Sequence, residues 1–405
     1  MGQTLGEPIK TKHSSTCGND QFKVGSSSMQ GWRMTMEDAH THLLALPDDE
    51  NASFFAVYDG HGGAKVSEYA GVHLHKKIVN NKFYKEDKIS EAIQHGFLDL
   101  DKQMVNDDDI KQEMSGTTAV TVLIKNNIVY CGNVGDSRAV SCINGVAMPL
   151  SFDHKPGNED EQKRIHDAGG WVEYNRVNGN LALSRALGDF IYKRNDAKLA
   201  KDQIVTAYPD IFSCELNKDV EFLVIACDGI WDCMTNEEVV EFCRERLQKR
   251  MEPEAICEEL LDKCLSPDCG FPGFGCDNMT VILVLCLLGD TMEEFYTRVS
   301  RTISKYEVIN PIQMRKEVAS TVYDHTFTSS ALSDQNTSTT NVWDHAFSAS
   351  SELPHVLKET GDENESEDET AMDVSLLDDI EDKTQEEEML EESEDEENKP
   401  AEIFL

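Results

Sequence analysis

Apolar residues along this chain come in two kinds of run. Phe54-Phe55-Ala56-Val57-Tyr58, Phe222-Leu223-Val224-Ile225-Ala226 and Val281 to Leu288 are short and continuous, which is how buried strands read. Ala119 to Ile124, Ile128 to Gly132, Arg138 to Ile143 and Val146 to Leu150 are further strand-sized runs separated by turn residues. Between the last two, Asn144-Gly145 fits a type I′ hairpin turn. The second kind of run has helical spacing, at about Ala64 to Asn80, Ile89 to Val105, Glu159 to Ala168, Asn236 to Lys249 and Pro253 to Cys264, with Gly169-Gly170 stopping the third. Several strands follow one another through hairpins instead of crossover helices. The pattern therefore predicts an α+β fold of antiparallel sheets with helices outside, and argues against a doubly wound parallel sheet.

The flanking segments are different in kind. Phe190 to Gln203 is polar and Lys-rich and reads as a surface flap. Thr291 to Ser320 keeps some helical periodicity through Phe295, Val299, Ile303, Val308 and Met314. Thr321 to Ser351 is rich in Ser, Thr and Asn and reads as a linker. From about Asp362 to Asn398 the chain is dominated by Asp and Glu with few bulky apolar residues, so burial cannot offset ordering entropy and a disordered acidic C-terminal tail is expected. That block holds roughly half of the net charge of -39, so the folded part is less acidic than the total suggests. The division expected is an N-terminal extension over 1-20, a catalytic domain over 21-290, a helical extension over 291-320, and linker plus tail over 321-405.

Two of the buried runs end in a carboxylate followed by glycine: Asp59-Gly60, continuing His61-Gly62-Gly63, and Asp228-Gly229. Asp-Gly alone is ordinary turn chemistry. Here acids recur at the ends of apolar segments, with Glu37-Asp38 and Asp277-Asn278 in comparable settings and Arg33 and His61 beside them. Charged groups at the rim of a core need partners, and hard divalent cations such as Mg2+ or Mn2+ take oxygen ligands of this kind. The pattern points to a metal site.

These residues resemble the metal-dependent serine/threonine protein phosphatases of type 2C. The match runs, in the family's order, through Gly31-Trp32-Arg33 to Asp38, Tyr58 to Gly63, Ser115-Gly116-Thr117-Thr118, Gly135-Asp136-Ser137-Arg138, Asp153-His154-Lys155-Pro156, Asn178 to Asp189, Ala226 to Asp232 and Asp277-Asn278, within about residues 20 to 290. The resemblance implies a four-layer αββα sandwich with the metal cleft at one end between the sheets. It implies that Asp59 bridges two Mg2+ or Mn2+ ions, that Asp228 and Asp277 complete one site, and that Glu37 and the Gly60 carbonyl belong to the other. Asp136 and Asp232 resemble residues holding a weaker third ion with Asp228, although turn closure explains them equally well. Asp38 and Asn278 resemble outer groups that orient ligands or water. Arg33 has the planar fork that suits phosphate oxygens, and His61 could protonate the departing serine or threonine oxygen. Asp153-His154-Lys155-Pro156 and the stretch Asn178 to Asp189 read as structural.

The activity expected is hydrolysis of phosphoserine and phosphothreonine in proteins by a metal-activated hydroxide. A different class of reading is a phosphatase-like scaffold whose acidic tail binds a basic partner, and the tail's field would attract such a partner and repel nucleic acid. A third reading, a metal-dependent phosphodiesterase or nuclease, is disfavoured because the sequence has no basic patch. Ser366 and Ser393, each followed by acids, are expected phosphorylation sites of the tail. No run approaches the roughly 18 apolar residues of a membrane helix, and the N-terminus lacks the basic and apolar regions of a secretory signal. A monomer in the cytosol or nucleus is expected. Gly2 has the position myristoylation needs, while Gly6 stands where Ser or Thr is preferred; one such chain would give only weak membrane attachment. The 12 cysteines are expected to be reduced, and Cys264, Cys269 and Cys276 lack a zinc pattern.

Overall fold

The structure, a computed structural model, describes residues 4–269 and 273–301. The expectations for Gly2, for residues 302–320, and for the linker and acidic tail over 321–405 lie outside the described residues.

Two antiparallel sheets are packed face to face. One has the strand order Thr4–Gly18, Phe22–Arg33, Met279–Cys286, Val220–Ala226, Arg138–Ile143, Val146–Pro149. The other runs Asp210–Glu215, Ile128–Val134, Ala119–Lys125, Ala52–Tyr58, Ala39–Leu43. In Ala52–Tyr58 all seven residues are buried because both faces are covered. Phe55 and Val57 meet Val24, Val122, Ile225 and Ile282 between the sheets, whereas Phe54, Ala56 and Tyr58 pack beneath the helices Lys65–Val79 and Ile89–Val105. Across the sandwich, Phe222, Val224 and Ala226 pack beneath the helices Asn236–Gln248, Pro253–Cys264 and Met292–Val299. Burying each large side chain of this kind contributes about 1.5–3 kcal/mol. The result is the expected α+β sandwich of four layers, helices, sheet, sheet, helices.

Local chemistry agrees with the elements. Ile89–Val105 buries Ile89, Ala92, Ile93, Gly96, Phe97, Leu100 and Met104, a single stripe at helical spacing. Thr235 and Glu238 form a capping box at the start of Asn236–Gln248, and a proline opens Pro253–Cys264. That last helix crosses the strand Phe22–Arg33 at Gly25, where any Cβ would overlap the backbone of Pro253 and Glu254. Asn144 and Gly145 take φ of 49° and 79°, as a type I′ turn requires.

Three features differ from the sequence reading. Most of the expected N-terminal extension is the edge strand Thr4–Gly18, tied to Pro253–Cys264 by Lys12 Nζ to Asp262 Oδ1 at 2.7 Å and Ser14 Oγ to Glu258 Oε1 at 2.6 Å. Its side chains are mostly exposed and polar, so it lacks an apolar signal. Cys269 and Cys276 are joined as a disulfide with their Cα atoms 5.7 Å apart, correcting the expectation of reduced thiols at that pair. The other ten cysteines are free. Thirdly, a short three-stranded sheet of Leu187–Gly188, Gly116–Thr117 and Gly60–His61 joins segments distant in sequence.

A buried ionic network supports the cleft. Glu161, 3% exposed, accepts bonds from Arg185 Nε at 2.9 Å, Arg164 Nη1 at 2.7 Å and Ser184 Oγ at 2.6 Å. Arg185 also reaches Asp210 at 2.6 Å, Asp210 lies 3.1 Å from His154 Nε2, and His154 Nδ1 accepts from the Gly135 amide at 3.2 Å, next to Asp136. Burial alone would raise the Glu161 carboxyl, but Arg185 and Arg164 win and hold it at about 2, from an ordinary 4.5. Its contribution is present above 4.5 and is lost as pH falls toward about 2. Removing one partner of such a buried set leaves charges uncompensated, so Glu161→Ala is expected to cost about 3–5 kcal/mol in urea unfolding and to flatten the acid limb of stability against pH.

Candidate active site

Each acid of the cleft is placed by the end of an element. Asp59 follows the strand Ala52–Tyr58, and Thr118 clamps its backbone from both sides, the Asp59 amide donating to Thr118 Oγ1 at 3.0 Å and the Thr118 amide donating to Asp59 O at 2.9 Å. Asp228 opens the short helix Asp228–Trp231 after Val220–Ala226, and Asp232 follows one turn later, exposed. Gly229 sits so close to the Asn278 carbonyl that a side chain would overlap it. Asp136 is 4% exposed at the turn before Arg138–Ile143. Oxygens of Asp59, Asp136 and Asp228 all lie within 4.8 Å of one another, as do ligand atoms of Asp38, Asp59 and Cys227.

The remaining predicted residues surround this cluster. Glu37 accepts from the Gly63 amide at 3.0 Å and from Thr35 Oγ1 at 2.7 Å. Its carbonyl passes so near Gly60 that only glycine fits there. Asp38 Oδ2 accepts from Thr280 Oγ1 at 2.7 Å, while the buried Oδ1 has no hydrogen-bond partner. Asn278 ties the loop together: Oδ1 accepts from the Glu37 amide at 2.9 Å and Nδ2 donates to the carbonyls of Gln30 and Thr35 at 2.8 and 3.0 Å. Arg33 pairs with Asp277 through Nη2, and not with Glu37 or Asp38. His61 Nε2 lies 2.7 Å from Asp189 Oδ2.

The electrostatics show how strongly these carboxyls repel one another. Burial, then the charges of Asp228, Asp38, Asp277 and Asp136, push the Asp59 carboxyl well above its usual range. Burial, then Asp136, Asp277 and Asp232, do the same to Asp228, with Lys155 opposing. Asp38 is pushed up to about 7, chiefly by burial. For His61, burial opposes the charged ring, but Asp189 outweighs it and raises the pKa. Crowded carboxylates with an unpartnered oxygen fit a hard divalent ion with oxygen ligands.

Sequence reasoning left two participants unassigned. Lys155, read as structural, pairs through Nζ with Asp136 and puts an ammonium beside the acids. Asp189, read as packing, holds His61. Neither has a local signal, since each contact joins segments far apart in the chain.

Metal-free protein should therefore be less stable at neutral than at mildly acidic pH. The raised carboxyls favour the folded state below their unfolded value of 3.8, and this is lost as pH rises through about 7, the position of Asp38. Asp228→Asn removes one of the crowded charges and is expected to raise metal-free stability at neutral pH. Mn2+ at about 100 times its Kd should stabilise the wild type by about 2.7 kcal/mol and the variant far less, both read by thermal unfolding with and without chelator.

Comparison with known proteins agrees with this arrangement. A family model described as Protein phosphatase 2C matches residues 22–270. A Caenorhabditis elegans protein named as a probable protein phosphatase 2C is 61% identical over 301 residues, covering 74% of this chain and 85% of its own. A Schizosaccharomyces pombe protein named protein phosphatase 2C homolog 2 is 45% identical over 312 residues, covering 76% of this chain and 84% of its own. Among solved structures, a phosphatase from a pathogenic strain of Toxoplasma gondii superposes with a TM-score of 0.59 at 25% identity, over 68% of this chain and 95% of that one. The chain belongs to the protein phosphatase 2C family of metal-dependent protein serine/threonine phosphatases.

Proposed function

We propose that the cleft hydrolyses phosphoserine and phosphothreonine with two divalent ions, Mg2+ or Mn2+, held by Asp59, Glu37, the Gly60 carbonyl, Asp228 and Asp277. Asp136 and Asp232 would hold a weaker third ion with Asp228. The observation that carries this reading is the meeting of Asp59, Asp136 and Asp228 oxygens within 4.8 Å. When bound, the ions supply Lewis acidity that neutralises phosphoryl oxygens and lowers the pKa of the attacking water to give a hydroxide nucleophile.

The chain's own residues do the rest. Arg33 is anchored through Nη2 on Asp277, which leaves its other guanidinium nitrogens to orient phosphate oxygens. His61 stands beside the acids and protonates the leaving serine or threonine oxygen. Asn278 and Asp38 position the loop that carries Glu37. Phosphoproteins are the substrates; a monomer acting in the cytosol or nucleus is part of the same proposal. The scaffold reading gains no support, because the acidic tail that would bind a basic partner lies outside the described residues.

Asp59→Asn is expected to abolish Mn2+-dependent turnover of a phosphothreonine peptide with an unchanged circular dichroism spectrum. His61→Ala should lower kcat on that peptide by about 10²- to 10⁴-fold. Near wild-type turnover in Asp59→Asn would remove the metal assignment.

A further inference from the structure

The three-stranded sheet beside the cleft has a purpose the acids alone do not explain. Its middle strand, Gly116–Thr117, pairs on one side with Gly60–His61, placing His61 opposite Gly116, and on the other with Leu187–Gly188, placing Gly188 opposite the same residue. His61 and Asp189 thus approach across Gly116. A Cβ there would overlap both the Asp189 carboxylate and His61 Nε2. The missing side chain is what lets the two groups meet at 2.7 Å.

Asp189 is itself held with care. It is 4% exposed and takes φ 49° and ψ 41°, a left-handed conformation that costs a non-glycine residue about 1 kcal/mol or more. Its amide donates to Ser115 O at 3.2 Å. The preceding Gly188 amide donates to Asp101 Oδ1 at 2.9 Å, and the flap residue Lys193 reaches Asp101 at 2.7 Å and the Ala186 carbonyl at 2.8 Å. The ordinary reason for an Asp here would be to cap the 3-10 turn Phe190–Tyr192, yet its side chain makes no cap bond. The carboxylate is aimed at His61 instead.

We propose that Asp189 is the positioning residue for His61, accepting from Nε2 so that Nδ1 is the nitrogen presented to the leaving oxygen. This rests on the reading of His61 as proton donor. In the step, the bond from phosphorus to the serine or threonine oxygen breaks with its electron pair going to that oxygen, which takes the proton from Nδ1. The oxygen of water forms the new bond to phosphorus, its released proton goes to solvent, and solvent reprotonates the ring. Asp189 keeps Nε2–H throughout and exchanges no proton.

The test uses leaving-group demand, because an alkoxide needs the proton and a nitrophenolate does not. Full-length wild type, His61→Ala, Asp189→Asn and the double variant are compared with Mn2+ on a phosphothreonine peptide and on p-nitrophenyl phosphate. Asp189→Asn is expected to lower kcat on the peptide by about 10-fold or more with KM unchanged, and to leave p-nitrophenyl phosphate turnover within about twofold. The double variant should be no slower on the peptide than His61→Ala. Equal losses on both substrates, or additive losses in the double variant, would overturn the positioning role while His61→Ala remained selective for the peptide. If His61→Ala itself shows no such selectivity, the proton-donor reading fails and this proposal with it. Ring-nitrogen NMR of the unmutated protein, with His61 assigned by correlation to its own backbone, gives a readout independent of variant folding: Nε2 is expected to carry its proton, and an unprotonated Nε2 facing Asp189 would overturn the proposal.

Discussion

Repulsion among carboxylates is the constraint on which this cleft is built. Asp59, Asp136 and Asp228 are brought within 4.8 Å by three separate chain segments, and Asp38, Asp232 and Asp277 add to the same negative field. Such a cluster opposes folding unless charge is supplied. The sandwich tolerates it because its large apolar layers are elsewhere, between the sheets and beneath the helices, while the acids stand at strand ends where the layers stop. Lys155 beside Asp136 and Arg33 on Asp277 offset part of the field from within. The rest is charge that a bound divalent cation would offset, so in the proposed reading stability and metal affinity are linked through the same side chains.

What holds the acids at that distance is close backbone approach as much as side-chain bonding. Gly60 against the Glu37 carbonyl and Gly229 against the Asn278 carbonyl each leave no room for a Cβ. These two contacts seat the end of one sheet's strand against the Glu37 segment and the start of a helix from the other sheet against Asn278. Asn278 links the two, because it also bonds to the Glu37 segment. Asn278 then fixes that loop with three hydrogen bonds to backbone. Because those bonds use both of its amide hydrogens, its work is to shape the loop that carries Glu37.

The sheet cores and the main helices were legible because each has a strong periodic or continuous apolar signal: Ile89–Val105 and Pro253–Cys264 fall at the boundaries the pattern implies. The acids were legible because carboxylates at the ends of apolar runs are chemically out of place. The edge strand Thr4–Gly18 was not, since its stability comes from pairing with Phe22–Arg33 and from surface bonds to Pro253–Cys264 instead of its own burial. The three-stranded sheet was equally hidden, for two-residue strands carry no period. With it went Asp189, whose partner His61 lies 128 residues away. The Cys269–Cys276 bond, between residues seven apart in the chain, fits no spacing pattern that reports a disulfide.

The same long-range pairing ties the flap to the position of His61. Lys193 in the flap and the Gly188 amide share Asp101, a carboxylate on the helix Ile89–Val105, and Asp189 follows Gly188 directly. Burial raises the Asp101 pKa while Lys193 pulls against that, so the ammonium is the main charge compensating a buried acid. Loss of the Lys193 contact would leave Asp101 uncompensated and weaken the hold on Gly188. Residues outside the cleft thus bear on where His61 points, through one ion pair and one backbone hydrogen bond. The positions of the clustered acids and of His61 are set by different parts of the fold: the former by the ends of the two large sheets, the latter by the small sheet and the flap anchored behind it.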